Sequence, residues 1–241
     1  RRRARARAGV AAVLVLALAA MTGIGVLTAP ARTATETAIA AGESAIAAAS
    51  DDSATDATTD ATGDAEAGTA ATGQITGDQI TGDQITAIGD SVMLAVAPSL
   101  QQAFPGIDIH AAVSRQASAG VKVIRRLAER DELRGVLLIG LGTNGLVSTA
   151  ALDAMIAAAP AGVRVVLVTV QAPRSWTADV NATLRDYAAA HAGVVVADWH
   201  RAIHGKLSCL GPDRIHPTST RGGTVYARTV QQALDALADD G

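Results

Sequence analysis

Apolar and polar positions divide the chain into three stretches. Ala8 to Ala29 is an uncharged run of 22 residues, and about 20 residues span a bilayer as a helix. From Pro30 to Asp83 the composition changes to Ala, Thr, Asp, Gly and Ser, and apolar positions keep no sustained period. Such a segment buries too little apolar surface to offset its ordering entropy, so residues 30–83 read as a disordered linker. It ends in an imperfect repeat, Gln74-Ile-Thr-Gly-Asp, Gln79-Ile-Thr-Gly-Asp and Gln84-Ile-Thr. The first two copies read as tether, and the third leads into a strand.

From Gln84 to the C-terminus (84–241), strand and helix patterns alternate. The expected strands are Gln84–Gly89, Ile107–Val113, Gly135–Leu141, Val163–Val170 and Val194–Asp198. The third and fourth are continuous apolar runs, as parallel strands covered on both faces require. The expected helices are Val92–Ala103, Ala119–Arg130, Thr149–Ala158, Ala178–Ala190 and Ser219–Leu237. Repeated strand-then-helix units point to an α/β doubly wound sheet, whose ligands sit at the carboxyl ends of the strands.

Charge changes the picture at the N-terminus. Five of the first seven residues are Arg. By the positive-inside rule that end stays in the cytoplasm and everything after Ala29 is exported. Residues 1–29 then form a basic flank and a transmembrane anchor, or a signal whose small residues at Thr28-Ala29-Pro30-Ala31 permit cleavage. The chain begins without Met, which leaves open a fragment whose first helix is the last span of a larger membrane protein. The linker holds ten acidic residues against one Arg. The net charge of −3 gives no sign of a nucleic-acid partner. Cys209 is the only cysteine, so no internal disulfide can form and the domain must stand on its core.

Three short motifs fall where such a fold keeps its site. In Gly89-Asp90-Ser91-Val92, Ser91 would sit at a strand-to-helix turn, among the free N–H groups and the positive end of a helix. That suits a nucleophile whose attack creates an oxyanion, although an N-cap explains the same residues. Gly140-Leu141-Gly142-Thr143-Asn144-Gly145 matches a dinucleotide fingerprint. It follows the third strand rather than the first, and no Asp or Glu lies from Ala154 to Ala178 to take a ribose, so a nucleotide or redox role is set aside. The alternative is Asn144 as an oxyanion donor. In Asp213-Arg214-Ile215-His216 the carboxylate can orient the imidazole from the same turn and stabilise the imidazolium.

Ser, then Asn, then Asp-x-x-His, in that order on an alternating β/α chain, resembles the SGNH (GDSL-like) hydrolase superfamily over Gln84–Ala238. The resemblance is closest to the extracytoplasmic SGNH domains of acyltransferase-3-type membrane proteins. Further matching features are Ser114-Arg115-Gln116 and Arg174-Ser175-Trp176 followed by Asn181. It implies a flavodoxin-like three-layer fold around a five-stranded parallel sheet, and no metal or organic cofactor. It implies Ser91 as nucleophile, His216 as base, Asp213 as its orienter, and Asn144 with the N–H groups of Ser91 and Ser114 as oxyanion hole. The expected activity is that of an extracytoplasmic serine esterase or O-acyltransferase. Its substrate would be a small acyl ester, acetyl, on a cell-surface polysaccharide or peptidoglycan. Expected partners are the membrane, through the N-terminal helix, and a membrane acyltransferase. The rival reading is a catalytically silent glycan-binding module.

One position departs from the family pattern. Relatives place Gly where this chain has Ser114, and a positive φ there would strain a serine. Arg115 can bind a substrate carbonyl or be a surface charge. Arg174 and Trp176 can bind sugar or pack under a loop. Asn181 can orient a loop or the substrate, or lie on a helix surface. His200, His204 and Cys209 lack a fourth ligand for zinc, and His110 and His191 have no partner in sequence.

Overall fold

The computed structural model describes residues 32–59 and 79–239, with side chains of the first segment described to residue 51. The apolar run Ala8–Ala29 lies outside the described residues. Among the described residues no helix is long and apolar enough to cross a membrane.

Five strands form one parallel sheet: β1 (Ile85–Gly89), β2 (Asp108–Ala111), β3 (Val136–Gly140), β4 (Arg164–Val168) and β5 (Val194–Ala197). Their order is β2-β1-β3-β4-β5. Every neighbouring pair is parallel, with Gly89 level with Gly140 across the β1–β3 pair. β1 and most of β3 and β4 are buried, which explains their unbroken apolar sequences. The chain reverses its winding between β1 and β3, so a crevice opens above their carboxyl ends.

The helices are α1 (Ala34–Thr59), α2 (Ser91–Ala103), α3 (Ala117–Glu129), α4 (Thr149–Ala158), α5 (Thr177–Ala190), α6 (Trp199–His204) and α7 (Thr220–Asp239). α2 packs on α7 over one face of the sheet, and α3 packs on α4 over the other. Small residues allow these approaches. A Cβ on Gly223 of α7 would lie 2.1 Å from Ser99 Oγ of α2.

α1 corrects the linker expectation. The 30–83 segment reads as disordered in sequence, yet Ala34–Thr59 is helical and packs along α2. Its composition hides the reason. Alanine is the best helix former, and the docking face uses Ala38, Gly42, Ala45 and Ile46, with Gly42 buried and the others partly so. That stripe recurs at helical spacing but is too small to register as an apolar period. α6, only six residues long, is the other helix absent from the sequence reading. Asp198 caps it through the Arg201 N–H.

Candidate active site

Ser91 stands at the first position of α2, in the turn leaving β1. Asp90 is the N-cap, and its Oδ1 accepts the Val92 N–H at 2.9 Å. Sequence thus allowed a cap or a nucleophile at Gly89-Asp90-Ser91, and the cap is Asp90. Ser91 is left with its hydroxyl aimed elsewhere. Its Oγ lies 2.8 Å from His216 Nε2, and His216 Nδ1 lies 2.7 Å from Asp213 Oδ2.

The loop carrying Asp213 and His216 is braced on itself. Leu210 and Pro217 form an antiparallel bridge, and the Gly211 N–H donates to the His216 carbonyl at 2.8 Å. Asp213 Oδ1 accepts the N–H groups of Ile215 at 2.9 Å and His216 at 3.2 Å. One carboxylate oxygen therefore folds the turn while the other faces the imidazole. Burial pushes the Asp213 carboxyl up. The His216 ring and the two N–H donors outweigh it and hold the carboxyl below its ordinary range. The stability that Asp213 contributes is therefore full above the ordinary carboxylate range and is lost as pH falls through its lower folded value.

Asn144 sits in the turn after β3. Its Nδ2 is 3.4 Å from Asp90 Oδ2 and 3.4 Å from the Arg115 carbonyl. These contacts join the three loops that follow β1, β2 and β3. Gly142 in the same turn has φ 123°, and a Cβ there would come within 2.8 Å of Val180 and 2.9 Å of Val170. Only glycine fits that position.

Ser114, in the loop after β2, has φ 59°. The departure noted in sequence is therefore a real strain, since a left-handed backbone favours glycine. Neighbouring Arg115 is half-buried. Its Nη1 donates to the carbonyls of Gly89, at 3.2 Å, and of His110. Burial lowers its pKa, with the Arg126 charge adding to that and the Asp90 charge opposing it. Its charge is engaged in tying the ends of β1 and β2 together.

The Arg174-Ser175-Trp176 segment leads into α5. Trp176 Nε1 donates to the Gly142 carbonyl at 3.2 Å, bracing the Asn144 turn from behind. Arg174 is exposed and lies 6.0 Å from the Trp176 ring centroid. Asn181 is buried, and its amide clasps Val170 from both sides, accepting its N–H at 2.7 Å and donating to its carbonyl at 2.9 Å. Of the open readings for Asn181, loop orientation is the one this geometry fits. Among the described residues, no group of three His, Cys, Asp or Glu side chains could hold a metal ion.

Asp90 was quoted in sequence only as part of its motif. It is fully buried. Burial raises its pKa, against the lowering influence of the Val92 N–H, Thr143 and the His216 charge. Its signal in sequence was the N-cap preference for Asp, which says nothing of its reach to Asn144.

No protein-family model matches the chain. It is 31% identical over 145 residues to a candidate peptidoglycan O-acetyltransferase, YrhL of Bacillus subtilis, covering 60% of this chain and 23% of that protein. It is 30% identical over 149 residues to the peptidoglycan O-acetyltransferase OatA of Listeria monocytogenes, covering 62% of this chain and 24% of the relative. The chain thus matches about a quarter of each relative's length. Among solved structures, the C-terminal catalytic domain of Streptococcus pneumoniae OatA, carrying a methylsulfonyl adduct, superposes with a TM-score of 0.60. The two are 26% identical, and the match covers 67% of this chain and 97% of that domain. A GDSL-like lipase from Bacteroides thetaiotaomicron superposes with a TM-score of 0.52 at 15% identity, covering 64% of this chain and 89% of the lipase, which speaks to the fold alone. By sequence the chain is a homologue of proteins named peptidoglycan O-acetyltransferases, and by fold its domain is that of the OatA catalytic domain and the SGNH (GDSL-like) hydrolases.

Proposed function

We propose that the domain is a serine-dependent acyl-transfer enzyme of the esterase and O-acyltransferase class. The observation that carries this reading is the continuous relay Ser91–His216–Asp213, with contacts of 2.8 and 2.7 Å. In the proposed reaction His216 Nε2 takes the proton of Ser91 as Oγ attacks an ester carbonyl. Asp213 holds the Nδ1–H tautomer and stabilises the imidazolium. Asn144 Nδ2 and the N–H groups of Ser91 and Ser114 receive the negative charge on the carbonyl oxygen. His216 then returns the proton to the leaving alcohol, and an acyl-serine remains. In the second half an acceptor hydroxyl loses its proton to His216 and attacks the acyl-serine; the acyl–Oγ bond breaks, His216 gives that proton to Ser91 Oγ, and the acyl group leaves on the acceptor.

Water as acceptor makes the enzyme an esterase, and a sugar hydroxyl makes it a transferase. The names of its relatives favour transfer of a small acyl group, acetyl, on peptidoglycan or another cell-surface glycan. Arg174 and Trp176, beside the Asn144 turn, are the proposed contacts for the sugar. Arg115 and Asn181 are assigned to holding the loops. We further propose that the domain works outside the cytoplasm, tethered through residues 1–29. The support for this is the uncharged run of 22 residues behind five arginines.

The test is turnover of p-nitrophenyl acetate by the full chain and by Ser91→Ala. The substitution should abolish the burst and the steady-state rate. Removing a member of such a relay costs on the order of 10⁴ in kcat or more. Unchanged turnover would remove Ser91 from the mechanism.

A further inference from the structure

The first turn of α1 reaches the triad. Thr35 Oγ1 donates to Asp213 Oδ2 at 3.3 Å, the same oxygen that faces His216 Nδ1. The loop leaves space for this hydroxyl: a Cβ built on Gly211 would lie 2.8 Å from Thr35 Oγ1. The position of Thr35 along the helix is fixed from further down α1. A Cβ on Gly42 would lie 1.7 Å from the Leu94 carbonyl oxygen, so the two backbones nearly touch there. Gln101 Nε2 donates to the Ala45 carbonyl at 3.1 Å. These contacts run down α1 and α2 in the same order, so the helices lie parallel and both begin at the site.

We propose that Thr35 is a positioning residue for the Asp213–His216 pair, supplied by a helix outside the α/β core. This rests on the acyl-serine reading above. Asp213 has two oxygens with different tasks. Oδ1 is engaged by two N–H groups of its own turn. Oδ2 receives the imidazole and, among the described residues, one other side chain, Thr35. Two donors on Oδ2 hold the carboxylate rotation that points it at Nδ1. Removing the hydroxyl should therefore loosen the orientation of the carboxylate and of the His216 ring that it holds.

Asp90 faces the same pair from the β1–α2 turn, and its charge acts on His216. The nearest titratable neighbours in sequence are Arg214 on the loop and Glu36 on α1. Substitutions at Thr35 leave all three in the chain, so a change in kcat reports on the hydroxyl.

The experiment measures p-nitrophenyl acetate hydrolysis across pH in the full chain, with Thr35→Val, Thr35→Ser, Gly42→Leu and the double variant Thr35→Val/Gly42→Leu. Thr35→Val should lower kcat by about 3- to 10-fold, the rate equivalent of one modest hydrogen bond, with KM unchanged. Thr35→Ser should restore kcat. Gly42→Leu, which cannot keep α1 against Leu94, should reproduce the loss, and the double variant should lose no more than either single one. A Thr35→Val variant with wild-type kcat would overturn the proposal. So would a Gly42→Leu loss that adds fully to that of Thr35→Val. If the wild-type chain turned over no ester, the acyl-serine reading would fall as well. An active wild type with an unaffected Thr35→Val would remove this inference alone.

Discussion

Ser114 is where residue-scale physics bears most directly on the chemistry. Its φ of 59° costs a non-glycine residue roughly 1–2 kcal/mol, and the proposed role uses only the backbone N–H. Ser114→Gly should therefore keep kcat within about 3-fold. Relief of strain and the added freedom of the unfolded chain offset one another, so stability should stay within about 1 kcal/mol of wild type. Steady-state kinetics and urea unfolding check both. A kcat loss of about 10²–10³ would mean that the hydroxyl, rather than the N–H, serves the oxyanion. The strain at this residue could be anticipated in sequence, because a serine stands where the family pattern has glycine. The paired contacts of Asn181 could not. Asparagine at a helix start is equally compatible with solvent, and its clasp on Val170 arises only once β4 and α5 have packed. Arg115 is similar: its basic character was visible, but not the two carbonyls at the ends of β1 and β2 that take it up.

The strands and long helices of the α/β region were legible because each obeys a single rule. β3 and β4 are covered on both faces and read as apolar runs, and α4 occupies the expected Thr149–Ala158. Other boundaries moved by one to a few residues, as at β2, expected over Ile107–Val113 and found over Asp108–Ala111. α1 escaped because glycine and alanine make up most of its contact face, with Ile46 as the large apolar residue on it. The turn after β3 is the element on which the site leans most. Gly142 meets Val170, Val180 and Val147, and its carbonyl holds Trp176. Gly142→Ala adds a methyl into that contact at φ 123°. It should destabilise the chain by about 1–3 kcal/mol, lowering Tm by roughly 2–4 °C for each kcal/mol in a domain of this size. It should also lower kcat, because Asn144 is two residues away. Calorimetry and kinetics on one variant would test both, and an unchanged Tm would mean that the turn has slack the packing does not suggest.

At the scale of the whole molecule, the order β2-β1-β3-β4-β5 explains why residues far apart in sequence share a site. Ser91 and Asn144 leave the adjacent strands β1 and β3. The late loop brings His216 back to Ser91 across 125 positions of chain. The alternating pattern implied a parallel sheet, while the order of its strands and the meeting of these loops came into view only with the fold. The helix before the sheet places Thr35 against Asp213, upstream of the expected domain boundary at Gln84. The central claim is that Ser91 is a nucleophile activated by this assembly. It is tested most directly by reacting the full chain with a fluorophosphonate probe and locating the adduct by peptide mass spectrometry. The account expects one adduct, on Ser91, absent from Ser91→Ala and formed far more slowly in His216→Ala. No adduct on the folded chain, or an adduct on another residue with Ser91 unmodified, would contradict it.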